Sequence, residues 1–147
     1  TILCLDGTAV LGTCIADELT KSGFRTINAH QTIYVVEPEY NANSQIIFRE
    51  NIQPMIRGKH VLVLMASVTT GFTAKRSIEA IKYYGGQVAG VAAIYRALDE
   101  VAGYPVRSVY SVEDLPDYQS FDFHDCPYCR AGKKVDALVN SFGYSAL

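Results

Sequence analysis

The sequence predicts an α/β fold in which helices cover both faces of a parallel sheet. Strand-like and helix-like segments alternate along the chain, which is the pattern of right-handed βαβ units. Val61 to Met65 is an unbroken apolar run, too short for a helix and too continuous for a strand with one wet face. With 147 residues, 49% of them hydrophobic, the chain has enough apolar material for one core. We therefore expect a single three-layer (αβα), Rossmann-like domain over residues 1–147.

The first part of the chain predicts a strand, a loop and a helix. Ile2 to Leu5 is a short core strand, and Asp6-Gly-Thr8 follows it as a loop. The next helix ends near Gly23. Its inner stripe is predicted to be Leu11, Cys14, Ile15 and Leu19. Cys4 and Cys14 are accordingly expected to be buried. Because a core strand begins directly after Thr1, we expect a segment upstream of it to be missing.

The middle of the chain predicts a β-hairpin. Thr32 to Val36 and Gln45 to Phe48 have strand-like composition, and they flank the polar, proline-containing loop Glu37 to Ser44. We expect this hairpin to form a flap beside the main sheet.

The second half continues the alternation. After the strand Val61 to Met65, a helix is predicted from Ala74, Ile78 and Ile81, with Gly85-Gly86 as its stop. Gln87 to Tyr95 is a further buried strand and Val106 to Tyr110 a weaker one. A C-terminal helix stopped at Gly143 is predicted from the spacing of Val135, Leu138, Val139 and Phe142.

The segment between the buried strand and the helix is the main candidate site. It is rich in hydroxyls and small residues, and Gly71 allows a ligand to approach the main chain closely. A helix start aims free N–H groups and roughly half a positive charge at one point, which suits a phosphate. The alternative is a plain strand-to-helix turn with Thr73 as the N-cap. The predicted phosphate-binding residues are Thr69, Thr70, Gly71, Phe72 and Thr73.

The order of apolar strand, Ser-Val-Thr-Thr-Gly-Phe-Thr73 and helix resembles the phosphoribosyl-diphosphate loop of type I phosphoribosyltransferases, with the orotate phosphoribosyltransferases as the most similar branch. The resemblance extends over nearly the whole chain, through Asn28-Ala-His30, Asn51 to Met55 and Cys126 to Ser145. It implies the phosphoribosyltransferase fold, a 5'-phosphate held by Thr69 to Thr73, and phosphoribosyl diphosphate as the donor.

The resemblance also implies a role for the loop after the first strand, which binds the pyrophosphate half of the donor in that family. The residues concerned would be Asp6, Gly7 and Thr8. The alternative is that Asp6 and Gly7 only make a turn and cap the next helix.

Two elements depart from the family pattern. Met65 and Ala66 stand where the family has an acidic pair that hydrogen-bonds the ribose hydroxyls. The hairpin loop Glu37 to Ser44 has two carboxylates and no Lys or Arg, although relatives place basic residues there. Arg49 and Arg57 are the nearby cations that could compensate.

A second candidate site is His124-Asp-Cys-Pro-Tyr-Cys129. Cys126 and Cys129 have the spacing of half a zinc site, which His124 together with another group, or the same pair from a second subunit, could complete. The alternatives are a redox pair and a proline turn with incidental thiols.

Three functions follow as hypotheses. The first is a Mg²⁺-dependent transfer of a phosphoribosyl group to a nitrogenous base, with orotate as the expected base; His30 and His60 are general-base candidates by residue type only. The second is a non-catalytic module that binds a nucleoside monophosphate or a phosphosugar. The third is a dimer surface around Cys126 to Cys129. The net charge of −2 and the absence of an apolar run of membrane-spanning length predict a cytoplasmic protein without nucleic-acid or membrane binding. The resemblance implies a homodimer.

Overall fold

A computed structural model describes residues 1–23, 32–122, 124–140 and 143–147. In chain order the elements are β1 (Ile2–Cys4), α1 (Ala9–Gly23), β2 (Val35–Val36), β3 (Glu39–Tyr40), β4 (Ile46–Ile47), a 3₁₀ helix (Gln53–Met55), β5 (His60–Val68), α2 (Phe72–Tyr83), β6 (Gln87–Arg96), β7 (Glu100–Val101), β8 (Tyr104–Ser111), α3 (Pro127–Arg130), β9 (Ala137–Asn140) and β10 (Gly143–Ala146).

The central sheet has six strands in the order β2-β1-β5-β6-β8-β7. Every neighbouring pair is parallel except β7 with β8, which is antiparallel. The strand Val61 to Met65 predicted from its apolar run is the middle of β5, and β6 and β8 match the other two strands predicted for this half.

The two long helices lie on opposite faces of this sheet. Val63 and Met65 of β5 share a buried cluster with Ile78 of α2, whereas Leu64 shares a second cluster with Ala16 of α1. This alternation is what a strand covered on both faces requires. The predicted three-layer α/β fold with a mostly parallel sheet is therefore confirmed.

The buried face of α1 differs from the prediction. The helix ends at Gly23 as expected, but Leu11 is 38% exposed and Leu19 48% exposed, and Cys14 is exposed as well. Gly12 and Ala16 are buried instead. A Cβ at Gly12 would lie 2.3 Å from Sγ of Cys4, so the helix approaches β1 through small residues.

The hairpin lies slightly later in the chain than predicted. Val35–Val36 is not one of its arms but the edge strand β2, parallel to β1. The hairpin itself pairs β3 with β4, Glu39 with Ile47 and Tyr40 with Ile46. The turn chemistry explains the shift, because Asn41 Oδ1 accepts hydrogen bonds from the backbone N–H groups of Asn43 and Gln45, both at 2.9 Å.

The predicted C-terminal helix is wrong. Leu138 and Val139 belong to β9, which pairs antiparallel with β10, and Gly143 begins β10 instead of ending a helix. Val139 lies opposite Tyr144, a β-branched and aromatic pair of the kind that stabilises a hairpin. Both residues are 78% exposed. Among the described residues, the apolar face that a helix would have packed against the core is therefore not covered. Phe142 lies outside the described residues.

Candidate phosphate-binding site

The candidate phosphate-binding loop, here called the phosphate loop (Thr69 to Thr73), connects β5 directly to α2. Val68 is the last residue of β5 and Phe72 the first of α2, which leaves only Thr69 to Gly71 between them. Gly71 is the N-cap residue, with φ +76° and ψ 0°, and no side chain caps the helix. Thr73 is therefore not the N-cap, and the alternative of a Thr73-capped turn is wrong. The first amides of α2 have no intrahelical acceptor, as at any helix start.

A small cavity lies at this helix start. It measures about 40 Å³ and is lined by Met65 and residues 67–74, which include all five predicted phosphate-binding residues. About 10–15 Å³ suffices for one water molecule, so this cavity accommodates a group of several atoms. Uncapped amides and the positive end of the helix dipole favour an anion there.

Gly71 is held against the turn that follows β6. A Cβ at this position would lie 3.1 Å from both Cδ1 of Leu98 and Cγ2 of Val101. The left-handed backbone and the close packing thus both require glycine. This packing fixes the loop on the neighbouring strand connection and pre-organises the cavity.

The positions of the family's acidic pair are apolar and packed. Met65 is 3% exposed, belongs to the main core cluster and lines the cavity wall. Ala66 is half-buried. Neither side chain offers an oxygen to a ribose hydroxyl, so this part of a sugar site is chemically changed.

The first loop lies at the same edge of the sheet as the phosphate loop. Both follow the carboxyl ends of neighbouring parallel strands, β1 and β5, which is where such sheets bind ligands. Asp6 and Gly7 form a tight turn with φ of 54° and 77°, closed by the N–H of Thr8 donating to the carbonyl of Leu5 at 3.1 Å. The turn of the alternative interpretation is thus present, which leaves the pyrophosphate role of these residues a prediction.

Thr8 has a structural role in this loop. Its hydroxyl is buried and contacts the carbonyl oxygens of Leu5 at 2.7 Å and Leu64 at 3.1 Å. That hydroxyl is already engaged, so a ligand would meet the backbone of this loop and the Asp6 carboxyl. Desolvation raises the pKa of Asp6 above its usual range.

The hairpin β3–β4 lies close to the Asp6–Thr8 loop, and the charge of its Glu39 carboxylate is neutralised by Arg49. Burial, and then the nearby charge of Asp6, raise the pKa of Tyr40 on β3. Beside Tyr40, Glu39 accepts two hydrogen bonds from Arg49, Nε to Oε1 at 2.6 Å and Nη2 to Oε2 at 2.7 Å. This bidentate contact lowers the pKa of Glu39. Arg49 is therefore engaged with the hairpin carboxylate, and Arg57 lies against Gln53, with Nη2 to Oε1 at 3.3 Å.

The sequence pattern did not indicate that two residues at the end of β6, Tyr95 and Arg96, would lie near the candidate site. Arg96 pairs in register with Val68, the residue just before the phosphate loop, and it forms an ion pair with Asp99. In the described part of the chain, the buried hydroxyl of Tyr95 has no hydrogen-bond partner, and its ring packs edge-on against Tyr118 at 5.0 Å. The carboxyl end of a parallel strand is the signal that could have found both.

The histidine candidates are not brought to the loop. His60 is exposed at the first residue of β5, about 26 Å of strand from the loop that follows Val68. His30 lies outside the described residues.

The Cys126–Cys129 segment is a short helical turn. Cys126 is the N-cap of α3, and its Sγ accepts a hydrogen bond from the N–H of Cys129 at 3.4 Å. That bond lowers the pKa of Cys126, while the hydrogen bond between the thiols raises that of Cys129. Within residues 1–23, 32–122, 124–140 and 143–147, no three His, Cys, Asp or Glu side chains are grouped to hold a metal. The zinc site with His124 stays a prediction.

None of the helices in the described residues is long and apolar enough to cross a membrane.

No model of a known protein family matches the chain. Among curated proteins, it is 37% identical to the orotate phosphoribosyltransferase of Thermotoga maritima over 108 residues, which is 67% of this chain and 56% of that protein. It is 36% identical to the orotate phosphoribosyltransferase of Caldicellulosiruptor bescii over 77 residues, 51% of this chain and 38% of that one. The chain resembles the orotate phosphoribosyltransferases. The resemblance inferred from its motifs is thus confirmed.

The relatives are longer than this chain, which spans 38–56% of the two curated proteins just named. Solved structures similar to it include the orotate phosphoribosyltransferase of Mycobacterium tuberculosis in complex with inorganic phosphate, with 23% identity, a TM-score of 0.44, and coverage of 74% of this chain and 72% of that one. A phosphoribosyltransferase from Corynebacterium diphtheriae has 19% identity and the same TM-score, over 74% of this chain and 77% of that one.

Proposed function

We propose that this chain transfers a phosphoribosyl group from phosphoribosyl diphosphate to a nitrogenous base, with orotate as the expected base. The observation that carries the proposal is the uncapped start of α2 at Gly71, with its 40 Å³ cavity. The names of the curated relatives support the choice of donor and base.

In this proposal the phosphate loop orients the donor. The amides from Thr70 to Ala74 hold the 5'-phosphate, and the backbone of the Asp6–Thr8 turn lies where the diphosphate would extend along the sheet edge. Fixing both ends of the donor converts binding energy into orientation of the sugar carbon that reacts.

Magnesium fits this edge of the sheet only in part. Mg²⁺ is usually held by one or two carboxylates together with substrate phosphates. Asp6 is the carboxylate in the predicted pyrophosphate loop, while Met65 and Ala66 supply no oxygen ligand. A bound Mg²⁺ would neutralise the charge of the leaving diphosphate.

A pyrophosphate-release assay tests the activity. The protein, with Mg²⁺ and phosphoribosyl diphosphate, should release pyrophosphate when orotate is added and not when it is omitted. A panel of purine and pyrimidine bases extends the assay. If none of the bases in the panel causes release of pyrophosphate, the proposal is contradicted.

The second candidate function is a catalytically degenerate module that binds a nucleotide or phosphosugar. Met65, buried at the cavity wall where the family has a carboxylate, favours it. Each charge-assisted hydrogen bond contributes about 1.5–3 kcal/mol, so loss of two could weaken ribose binding by roughly two to four orders of magnitude.

Binding measurements separate the two candidates. The module would bind a nucleoside monophosphate without Mg²⁺ and release no pyrophosphate. The enzyme would bind phosphoribosyl diphosphate more tightly in the presence of Mg²⁺ and turn it over.

We also propose that the protein acts as a cytoplasmic homodimer. Exposed apolar residues support an interface, among them Val10 at 78% and Val109 at 73% exposure. Sedimentation at several concentrations tests the dimer, and a monomer throughout would contradict it.

A further inference from the structure

The two thiols of Cys126 and Cys129 lie within one turn of α3. Both cysteines are free, with Cys129 exposed and Cys126 half-buried, and the N–H of Cys129 donates a hydrogen bond to Sγ of Cys126 at 3.4 Å. Residues three apart in a helical turn have Cβ atoms about 5–6 Å apart. A disulfide requires Cβ atoms about 3.5–4.5 Å apart. The two Cβ atoms therefore have to approach each other by roughly 1–2 Å for the sulfurs to join.

The surroundings of the two sulfurs differ. Sγ of Cys126 accepts the hydrogen bond from the N–H of Cys129, which favours negative charge on that sulfur. Pro127 between them fixes its own φ and has no N–H to compete for the sulfur. Cys126 is thus placed to react first and Cys129 to follow.

Tyr128, which lies between the two thiols, contacts the loop that precedes the turn. The hydroxyl of Tyr128 donates a hydrogen bond to Oε1 of Gln119 at 2.8 Å, and its ring packs edge-on against Phe121 at 5.6 Å. These contacts hold the backbone between the two cysteines against that loop.

We propose that Cys126 and Cys129 form a thiol–disulfide exchange site whose substrates are low-molecular-weight disulfides. The Cys126 thiolate attacks one sulfur of the substrate, forms a mixed disulfide and releases one thiolate. Cys129, having lost its proton to solvent, then attacks Sγ of Cys126 and releases the second thiolate. The dithiol loses two electrons and two protons, and the substrate becomes two thiols.

The test uses oxidised glutathione on the reduced protein, followed by alkylation of the remaining thiols and mass analysis of the peptides. The wild-type chain should form the Cys126–Cys129 disulfide and retain no glutathione on either residue. Cys129→Ser should keep glutathione on Cys126. In Cys126→Ser the sulfur proposed to attack first is gone. Cys129 should therefore react with oxidised glutathione at least about tenfold more slowly than Cys126 does in the wild-type chain.

Cys14 supplies the control, because it is an exposed thiol on α1, a different element. If Cys126 reacts no faster than Cys14, or if the pair stays alkylatable while Cys14 takes up glutathione, the proposal is overturned. Stoichiometric zinc held by the two thiols in the purified protein would overturn it as well.

Discussion

Gly71 combines a left-handed backbone with a position at the start of α2, where an anion would bind. Gly71→Ala adds a Cβ 3.1 Å from Leu98 and Val101 and costs about 1–2 kcal/mol for the left-handed conformation alone. We expect the variant to lose at least about tenfold in affinity for a phosphate monoester, since a shift of the loop by a few tenths of an ångström misaligns its amides. Titration calorimetry measures the loss.

Gly103→Ala is the matched control. Its φ of +83° imposes the same backbone strain, but nothing lies within 4 Å of an added Cβ. It should lower the stability by a similar amount and leave the affinity unchanged. Equal affinities of both variants for the phosphate would contradict the role assigned to Gly71.

Met65 and Ala66 are adjacent but differ in burial, so an acidic residue has different consequences at each. Met65→Asp places a carboxylate in the main core, which we expect to cost about 3–5 kcal/mol. Ala66→Asp should cost about 1 kcal/mol or less, because the position is half-buried. Urea denaturation measures both, with Met65→Leu as the volume-matched control. Equal losses of unfolding free energy at the two positions would show that Met65 is not more buried than Ala66.

At the residue scale the sequence predicted five of the nine residues that line the cavity at the start of α2, because glycine and hydroxyl residues between a strand and a helix form a local pattern. It did not predict the engagement of Thr8, whose hydroxyl contacts a carbonyl 56 residues away. Nor did it predict Arg96, since only strand pairing places that residue beside the loop.

At the scale of the elements, the hairpin β3–β4 is joined to Arg49 through Glu39, and we expect this ion pair to determine how strongly the hairpin repels a bound anion. Glu39→Gln frees Arg49 from its bidentate contact and should tighten pyrophosphate binding roughly two- to five-fold at low salt. Arg49→Gln leaves the carboxylate unneutralised and should weaken binding by a similar factor. Competition titrations at two salt concentrations measure both effects. If neither variant changes the affinity at low salt, the hairpin does not lie over the diphosphate.

Helix α1 packs on β1 through Gly12. In an exposed helix, Gly→Ala usually stabilises by roughly 0.5–1 kcal/mol. At Gly12 we expect the reverse, a loss of about 1–3 kcal/mol, because the added Cβ overlaps Sγ of Cys4. Thermal unfolding measures the sign.

Two further variants complete this experiment. Cys4→Ala removes the overlapping sulfur, so the double variant should be more stable than the sum of the single changes predicts. Thr13→Ala, on the exposed side of the same helix, should be nearly neutral. A stabilising Gly12→Ala would show that α1 does not approach β1 this closely.

Two of the wrong predictions have different physical causes. In α1 Leu11 and Leu19 are exposed, whereas Gly12 and Ala16 are buried and only Ile15 of the predicted large apolar residues packs against a core cluster, so hydrophobic periodicity misplaced part of the buried face. In the C-terminal segment the spacing of Val135, Leu138 and Val139 fits a helix, but cross-strand pairing with residues 143–146 prevails. Pairing partners of this kind are not visible in a local pattern.

For the whole molecule, the layered α/β fold could be predicted because alternating strands and helices leave few parallel topologies. The strand order could not, since β2 and β7 are edge strands of two residues each whose places depend on pairing with β1 and β8. The candidate site at the carboxyl edge of the sheet depends on that order, because the order puts the loops after β1 and β5 side by side.

We expect the start of α2 to bind a phosphate monoester dianion, and paired titrations with ribose 5-phosphate and ribose are the sharpest test of that claim. The two sugars differ only in the phosphate group. We predict saturable binding of ribose 5-phosphate that inorganic phosphate competes away, and no measurable binding of ribose. Equal affinities for the two sugars, or no uptake of ribose 5-phosphate at millimolar concentration, would contradict the claim.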